Sequence, residues 1–261
     1  MRNNDTIFKT LIVAVILCLV CSAVISSVAV GLRDLQEANK KLDQQTKILA
    51  AAQLLDETKT VQELFNSIEA KIVNLETGEY NNIIDVGLFD EASFSRDEAT
   101  SIQLSSKQDI AIIKRRENFQ KIYLHSQDKK LTAVILPVRG YGLWGTLYGY
   151  LAVEPDFQTV IGLEFFQHKE TPGLGAEVDN PKWKSQWKGK KIFSDKGDVM
   201  LSVIKGSVKN NSPNAPYQVD GLSGATITSK GVSNLLSFWL GDLGYKPYMQ
   251  RMLMDLEIND V

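Results

Sequence analysis

"LTAVILPVRGYG" (131–142), "LYGYLAVE" (147–154) and "TVIGLEFFQH" (159–168) set the fold class. Each is a short apolar run, rich in β-branched and aromatic residues, with glycine or polar punctuation, which predicts a strand. Upstream, "AIIKRR" (111–116) and "KIYLHS" (121–126) read the same way. Downstream, "KIFSDKG" (191–197) and "VMLSVIKGSV" (199–208) continue the series. "KGVSNLLSFWLGDLG" (230–244) then changes period. Val232, Leu235, Leu236, Trp239 and Leu240 recur on one face, which predicts an amphipathic helix. Strands mixed with a few helices predict an α+β domain over residues 81–261.

Moving toward the N-terminus, the spacing of apolar residues alters. In 33–80, Leu35, Leu42, Ile48, Leu49, Leu54, Leu55, Val61, Leu64, Phe65, Ile68 and Ile72 recur at helical intervals, and Gly and Pro are absent until Gly78. Two or three helices are expected here, with packing and spacing as their role; the heptads are too irregular for a coiled coil. Before them, "TLIVAVILCLVCSAVISSVAVGL" (10–32) holds 23 residues without a charge. At about 1.5 Å per residue it reaches roughly 34 Å, enough to cross a bilayer core of about 30 Å. A cleaved signal peptide is the competing reading, with Ser27-Val28-Ala29 resembling a cleavage site. The run exceeds a signal's apolar region of about 7–15 residues, so an uncleaved transmembrane helix is expected. Arg2 and Lys9 precede it, and Arg33, Lys40, Lys41 and Lys47 follow. These charges do not fix the orientation, since a long C-terminal domain is translocated largely regardless of them. The expected arrangement is a cytoplasmic tail over 1–9, a transmembrane helix over 10–32 and residues 33–261 outside the cytoplasm, with the C-terminal domain periplasmic.

Composition narrows the chemistry. The 261 residues are 44% hydrophobic and 23% charged, with net charge −2, so no basic signature of nucleic-acid binding is present. Both cysteines, Cys18 and Cys21, sit in the apolar run, and His125 and His168 are the only histidines. No cysteine framework or histidine-based metal centre is expected. Dinucleotide-binding, phosphate-loop and nucleophile-elbow patterns are all missing.

Three glycine-bearing stretches remain. "RGYGLWG" (139–145) places glycines around Tyr141 and Trp144, suiting either close approach to a ligand or a tight hairpin. "HKETPGLGAE" (168–177) has Pro172-Gly173 as the central pair of a type II turn, which would present Leu174 on a loop. "DGLSGATITSKG" (220–231) offers the hydroxyls of Ser223, Thr226 and Thr228, with no His or Cys to activate them.

"ETPGLG" together with "DGLSGAT" resembles the FMN-binding domain of membrane redox complexes. With "GYGLWG", the single N-terminal span, the helical segment and the length, the whole chain resembles the single-span flavin subunit of the Na⁺-translocating NADH:quinone reductase. The corresponding flavin subunit of the Rnf ferredoxin:NAD⁺ oxidoreductase shares two of the motifs, but the long segment before residue 80 favours the NADH:quinone reductase. A non-redox membrane-anchored module is the more distant alternative.

The resemblance implies FMN joined to Thr226 by a phosphodiester. An external Mg²⁺-dependent flavin transferase would make the bond, so the threonine itself needs no activating base. Ser223, Gly224 and Ala225 would give room, Asp220 would mark transferase recognition, and Thr228 or Ser229 would cap the following helix. Leu143, Trp144 and Leu174 are expected at the flavin faces. Backbone around Gly142, Thr171, Gly173 and Gly175 is expected at its polar edge, and Glu170 and Thr171 are the side-chain candidates for the flavin or ribityl region. His168 is either a flavin neighbour or an ordinary core or surface residue. The implied activity is electron transfer from an iron–sulfur centre to the next flavin subunit of a bacterial inner-membrane complex, through membrane lipid contact and partner subunits. No catalytic residue or metal ligand is expected in this chain.

Overall fold

Residues 131–138 are apolar at almost every position because both faces of their strand are covered. The computed structural model describes residues 7–259. Helix α1 (Ile7–Gly31) contains the long apolar run and has no buried residue. It is long and apolar enough to cross a membrane. Residues 1–6 of the expected cytoplasmic tail lie outside the described residues. Two compact units divide the chain, Met1–Gln44 and Gln45–Val261. Helix α2 (Arg33–Ala51) runs through the division.

The second unit is built on strands. Its chain order continues with α3 (Val61–Phe65), β1 (Ile68–Asn74), β2 (Tyr80–Asn81), α4 (Glu91–Arg96), β3 (Ser101–Gln103) and β4 (Arg115–Glu117). Then come β5 (Phe119–Gln127), β6 (Lys130–Tyr141), β7 (Thr146–Val153) and β8 (Val160–Gln167). After these, α5 (Pro181–Lys184), β9 (Ser202–Val203), β10 (Gln218–Val219), α6 (Thr226–Trp239) and α7 (Lys246–Asn259) complete it. Six strands form one antiparallel sheet in the order β2-β1-β5-β6-β7-β8. The α+β class expected from the sequence is the class observed.

The helical expectation for 33–80 fails beyond Phe65. Ile68–Asn74 is a strand, paired along its length with β5 from Ile68 opposite His125 to Asn74 opposite Phe119. Val61, Leu64, Phe65, Ile68 and Ile72 fit a helical stripe, but the first three belong to a helix and the last two to a strand. Local spacing is overridden by seven cross-strand pairs. Thr60 caps the start of α3. Its side chain accepts from the Glu63 N–H while the Glu63 carboxylate accepts from the Thr60 N–H.

Alternation along β6 sorts the two cores. Val134, Leu136 and Val138 face α6, meeting Val232, Leu235, Leu236 and Trp239. Ala133 and Ile135 face the opposite side, where Ile48, Ala51 and Ala52 at the end of α2 cover them with Tyr150 and Ala152 of β7. The end of α6 and the loop after it are fastened by polar bonds as well. Trp239 Nε1 donates to the Arg139 carbonyl at 2.7 Å, and the Tyr245 hydroxyl donates to the Pro137 carbonyl at 2.6 Å. Arg139 itself is buried. Its guanidinium forks onto Glu117 at 2.7 and 2.5 Å, reaches Glu91 at 2.6 Å and lies 5.3 Å from the Trp239 ring centre. Burial alone would disfavour its charge, but the Glu117 and Glu91 carboxylates outweigh that and hold its pKa above the ordinary value. The result is that β6 delivers residues 141–145 to one end of the sheet from a rigid base.

Candidate functional site

The hairpin between β6 and β7 closes with Tyr141 opposite Thr146 and with the Gly142 N–H on the Gly145 carbonyl at 2.8 Å. Leu143 and Trp144 therefore stand at its tip. The segment after β8 makes the expected turn. Leu174 N–H donates to the Thr171 carbonyl at 3.1 Å across Pro172-Gly173, and Gly173 has φ of +75°. Gly224, at φ +70°, makes a third turn ahead of α6.

These turns converge on one carboxylate. Glu170 is 5% exposed. Its Oε1 accepts from the Leu143 N–H at 2.9 Å and the Trp144 N–H at 3.0 Å, and its Oε2 accepts from the Thr228 hydroxyl at 2.5 Å. A Cβ on Gly142 would stand 2.5 Å from Oε1, and one on Gly175 would collide with Oε2 and with Thr228 Oγ1. Glycine is therefore required at both places by the space that Glu170 fills. On the far side, Gly231 of α6 lies so close to the Tyr141 carbonyl and Gly142 Cα that a side chain has no room.

Around this buried knot the surface is apolar. Trp144 is 63% exposed, Leu174 44% and Leu143 38%, with Tyr141 and Ile227 also exposed. Leu174 packs against Gly224, where a Cβ would come within 2.8 Å of Leu174 Cδ2. Thr226 is exposed beside them, and among the described residues its hydroxyl has no hydrogen-bond partner. It is the first residue of α6, whose N-terminal turn has no side-chain cap. The cap expected from Thr228 or Ser229 is not formed, because both lie inside the helix with other partners. Thr228 reaches Glu170, and the Ser229 hydroxyl accepts from the Leu222 N–H at 3.0 Å. The N–H groups of the first turn consequently point outward with the positive end of the helix dipole. Ser223 is exposed and Ala225 buried.

On the other flank of Thr226 lies a groove of about 710 Å³ between 202–207 and 221–233. Its lining includes Lys205, Ser207, Ser223 and Lys230. Lys205 and Ser207 were not singled out in the sequence. They lie roughly twenty residues before Thr226 and reach it through the β9–β10 pairing, which no local pattern announces.

The other expected residues take distinct places. Thr171, Gly173 and Leu174 lie on the exposed side of the turn, whereas Gly142 and Gly175 are buried behind Glu170. The Thr171 carbonyl already accepts from Leu174 and Ala176. Asp220 is half-buried and builds the turn. Its Oδ1 accepts from the Val208 N–H at 2.7 Å, its N–H donates to Gln186 and its carbonyl accepts from Trp183 Nε1 at 2.8 Å. His168 is tied up, with Nε2 against Asp179 at 2.8 Å and Nδ1 accepting from the Glu170 N–H at 3.2 Å.

The arrangement suits a flavin mononucleotide. Exposed Trp and Leu side chains match flat apolar ring faces, while an uncapped helix terminus and two lysines match a phosphate. The FMN-binding domain family matches residues 142–241, which contain all three turns. The C subunit of the Na(+)-translocating NADH-quinone reductase from Pseudomonas aeruginosa is 48% identical over 97% of this chain and 98% of its own. Its counterpart from Yersinia pestis is 45% identical, covering 96% and 95%. The chain belongs to the NqrC family of Na(+)-translocating NADH-quinone reductase subunits. Among solved structures, Shewanella oneidensis NqrC superposes with a TM-score of 0.77 at 36% identity, over 83% of this chain and 99% of that one. The NqrC-type subunit from Parabacteroides distasonis gives 0.62 at 32% identity, over 84% and 96%. FMN is accordingly the cofactor, and membership of the NqrC family prevails over the Rnf subunit and the non-redox module.

Proposed function

We propose that this chain is the electron-transfer subunit of a sodium-pumping NADH:quinone oxidoreductase, carrying FMN on Thr226 through a phosphodiester. The observation that carries this reading is the exposed, unpartnered Thr226 hydroxyl between the uncapped turn of α6 and the Leu143–Trp144–Leu174 surface. FMN supplies one- and two-electron chemistry when bound. Leu143, Trp144 and Leu174 exclude water from the ring. Lys205, Lys230 and the N–H groups opening α6 offset the phosphodiester charge. No described side chain hydrogen-bonds the Thr226 hydroxyl to activate it, which agrees with attachment by a separate flavin transferase, with Asp220 holding the recognition turn in shape. The chain relays electrons from an iron–sulfur centre to the next flavin subunit and is one part of a larger enzyme.

Thr226→Ala should abolish in-gel flavin fluorescence of the denatured full chain co-expressed with the transferase, while the protein stays folded. Fluorescent bands that persist, or a flavin mass shift on another tryptic peptide, would overturn the assignment.

The topology belongs to the same reading. Helix α1 anchors the chain uncleaved in the bacterial inner membrane, in contact with lipid, and leaves the second unit in the periplasm. A C-terminal alkaline phosphatase fusion should be active, and the intact mass should retain residues 10–32. An inactive fusion, or an N-terminus near Val30, would refute it.

A further inference from the structure

We infer that Glu170 is a positioning residue: its carboxylate locks the Leu143–Trp144 tip to helix α6 and so fixes Trp144 relative to the flavin attachment point. The inference rests on the reading that Thr226 carries FMN. The sequence offers Glu170 for the flavin or ribityl region; the geometry points to a task within the protein. The side chain is buried, and its two oxygens take three donors: the Leu143 and Trp144 amides on Oε1 and the Thr228 hydroxyl on Oε2. The amides belong to the hairpin tip, the carboxylate to the segment after β8 and the hydroxyl to α6, two residues beyond Thr226. One anion therefore joins segments that lie 27 and 58 residues away from it in sequence.

Two further observations show that the surrounding chain is built around this group. Gly142 and Gly175, one from each loop, lack the space for a Cβ because the carboxylate oxygens occupy it. No Lys, Arg or His side chain bonds to the Glu170 carboxylate among the described residues, so the groups that satisfy the buried charge are those of the site. Charge-assisted bonds of this kind are stronger than neutral ones, and a buried acceptor so placed is costly to remove. Without it, two amides at the tip lose their acceptor and Trp144 is tethered only by its own backbone.

Chemistry separates position from charge. In Glu170→Gln, the amide oxygen can keep accepting from Leu143 and Trp144, while the NH₂ group donates to Thr228 Oγ1 in place of accepting from it. Glu170→Ala removes all three bonds. Thr228→Val cuts only the link to α6.

The test uses the full chain in detergent, prepared with and without the flavin transferase. Hydrogen exchange at the Leu143 and Trp144 amides reads the clamp directly and needs no flavin. Glu170→Ala should accelerate it about tenfold to a hundredfold in both preparations, with Glu170→Gln close to the parent. In flavin-loaded protein, Glu170→Ala and Thr228→Val should lengthen the flavin fluorescence lifetime, because Trp144 no longer holds its quenching position. Glu170→Gln should not. Unchanged exchange in folded Glu170→Ala would overturn the inference, as would accelerated exchange confined to loaded protein, which would make Glu170 a direct flavin contact. If Glu170→Ala fails to fold, an unchanged lifetime in Thr228→Val overturns it. Mass mapping of the Thr226 peptide separates the two levels. Absent flavin there refutes the attachment, while the exchange experiment still decides the clamp.

Discussion

Replacing Gly231 by alanine sets two well-sized effects against each other. Gly231 lies inside α6, where alanine is favoured over glycine by about 1 kcal/mol on helix propensity alone. The structure opposes this. The new Cβ would collide with the Tyr141 carbonyl oxygen, stand 3.1 Å from Gly142 Cα and lie 3.3 Å from the Tyr141 carbonyl carbon. All three are backbone atoms of the hairpin whose tip carries Leu143 and Trp144. None can rotate aside as a side chain would, and α6 is held on its other flank by Ser233, whose hydroxyl accepts from the Val203 N–H at 2.9 Å. Overpacking of this kind costs about 1–3 kcal/mol. The steric effect therefore wins, and a net loss of about 1 kcal/mol is expected. For a folded unit of this size that lowers Tm by about 2–4 °C. Thermal unfolding followed by circular dichroism of the full chain in detergent measures it. Lys230→Ala, exposed on the same helix, serves as the control and should stay within about 0.5 kcal/mol of the parent. A Gly231→Ala protein more stable than its parent would show that the hairpin yields freely, and the rigid seat argued for Trp144 would be wrong.

Leu174→Ala and Trp144→Ala should leave flavin attached in full stoichiometry but change its redox potential and iodide accessibility, because a drier site disfavours the charged reduced form; Trp144→Ala should also brighten its emission. Redox titration with parallel mass analysis checks this, and parental behaviour in both variants would remove these residues from the flavin surface. Arg139→Ala should cost about 3–5 kcal/mol, since it strands the fully buried Glu117 without its ion pair. Mild acidification should recover part of the loss by neutralising the stranded carboxylate, and denaturant titrations at two pH values would expose the reverse trend if the account is wrong.

The sequence made some of this legible and hid the rest for physical reasons. The strands at 130–141, 146–153 and 160–167 were readable because their apolar content is local, and the turn at Pro172-Gly173 because φ chemistry is local. The apolar helix was readable from length and composition. Strand β1 was not, since Ile68 and Ile72 fit both periods and only pairing with β5 decides between them. Nor was the Arg139–Glu117–Glu91 cluster, whose members are scattered over 48 residues and meet only when β4, β6 and α4 pack. Glu170 is picked out, but its bonds to Leu143, Trp144 and Thr228 are not, because these partners lie in other segments and two are backbone amides that carry no residue signature. Lys205 was invisible because only the β9–β10 pairing brings it to the groove. The motifs mark loops that the fold brings together around Glu170, while the bonds among their residues depend on tertiary packing.

The stretch 220–231 carries four hydroxyls, and the fold treats them unequally. Thr228 and Ser229 are buried and engaged, while Ser223 and Thr226 face solvent. In synthetic terms, the folded domain masks two of its alcohols as a protecting group would. Under the proposed attachment, a transferase working on the finished domain would meet a substrate whose regiochemistry is already half decided, and would have only to distinguish a secondary alcohol on a helix from a primary one on a turn. An unfolded chain would present all four alike. Chemical acylation of the flavin-free chain, native against denatured, would display that masking as a difference in product number.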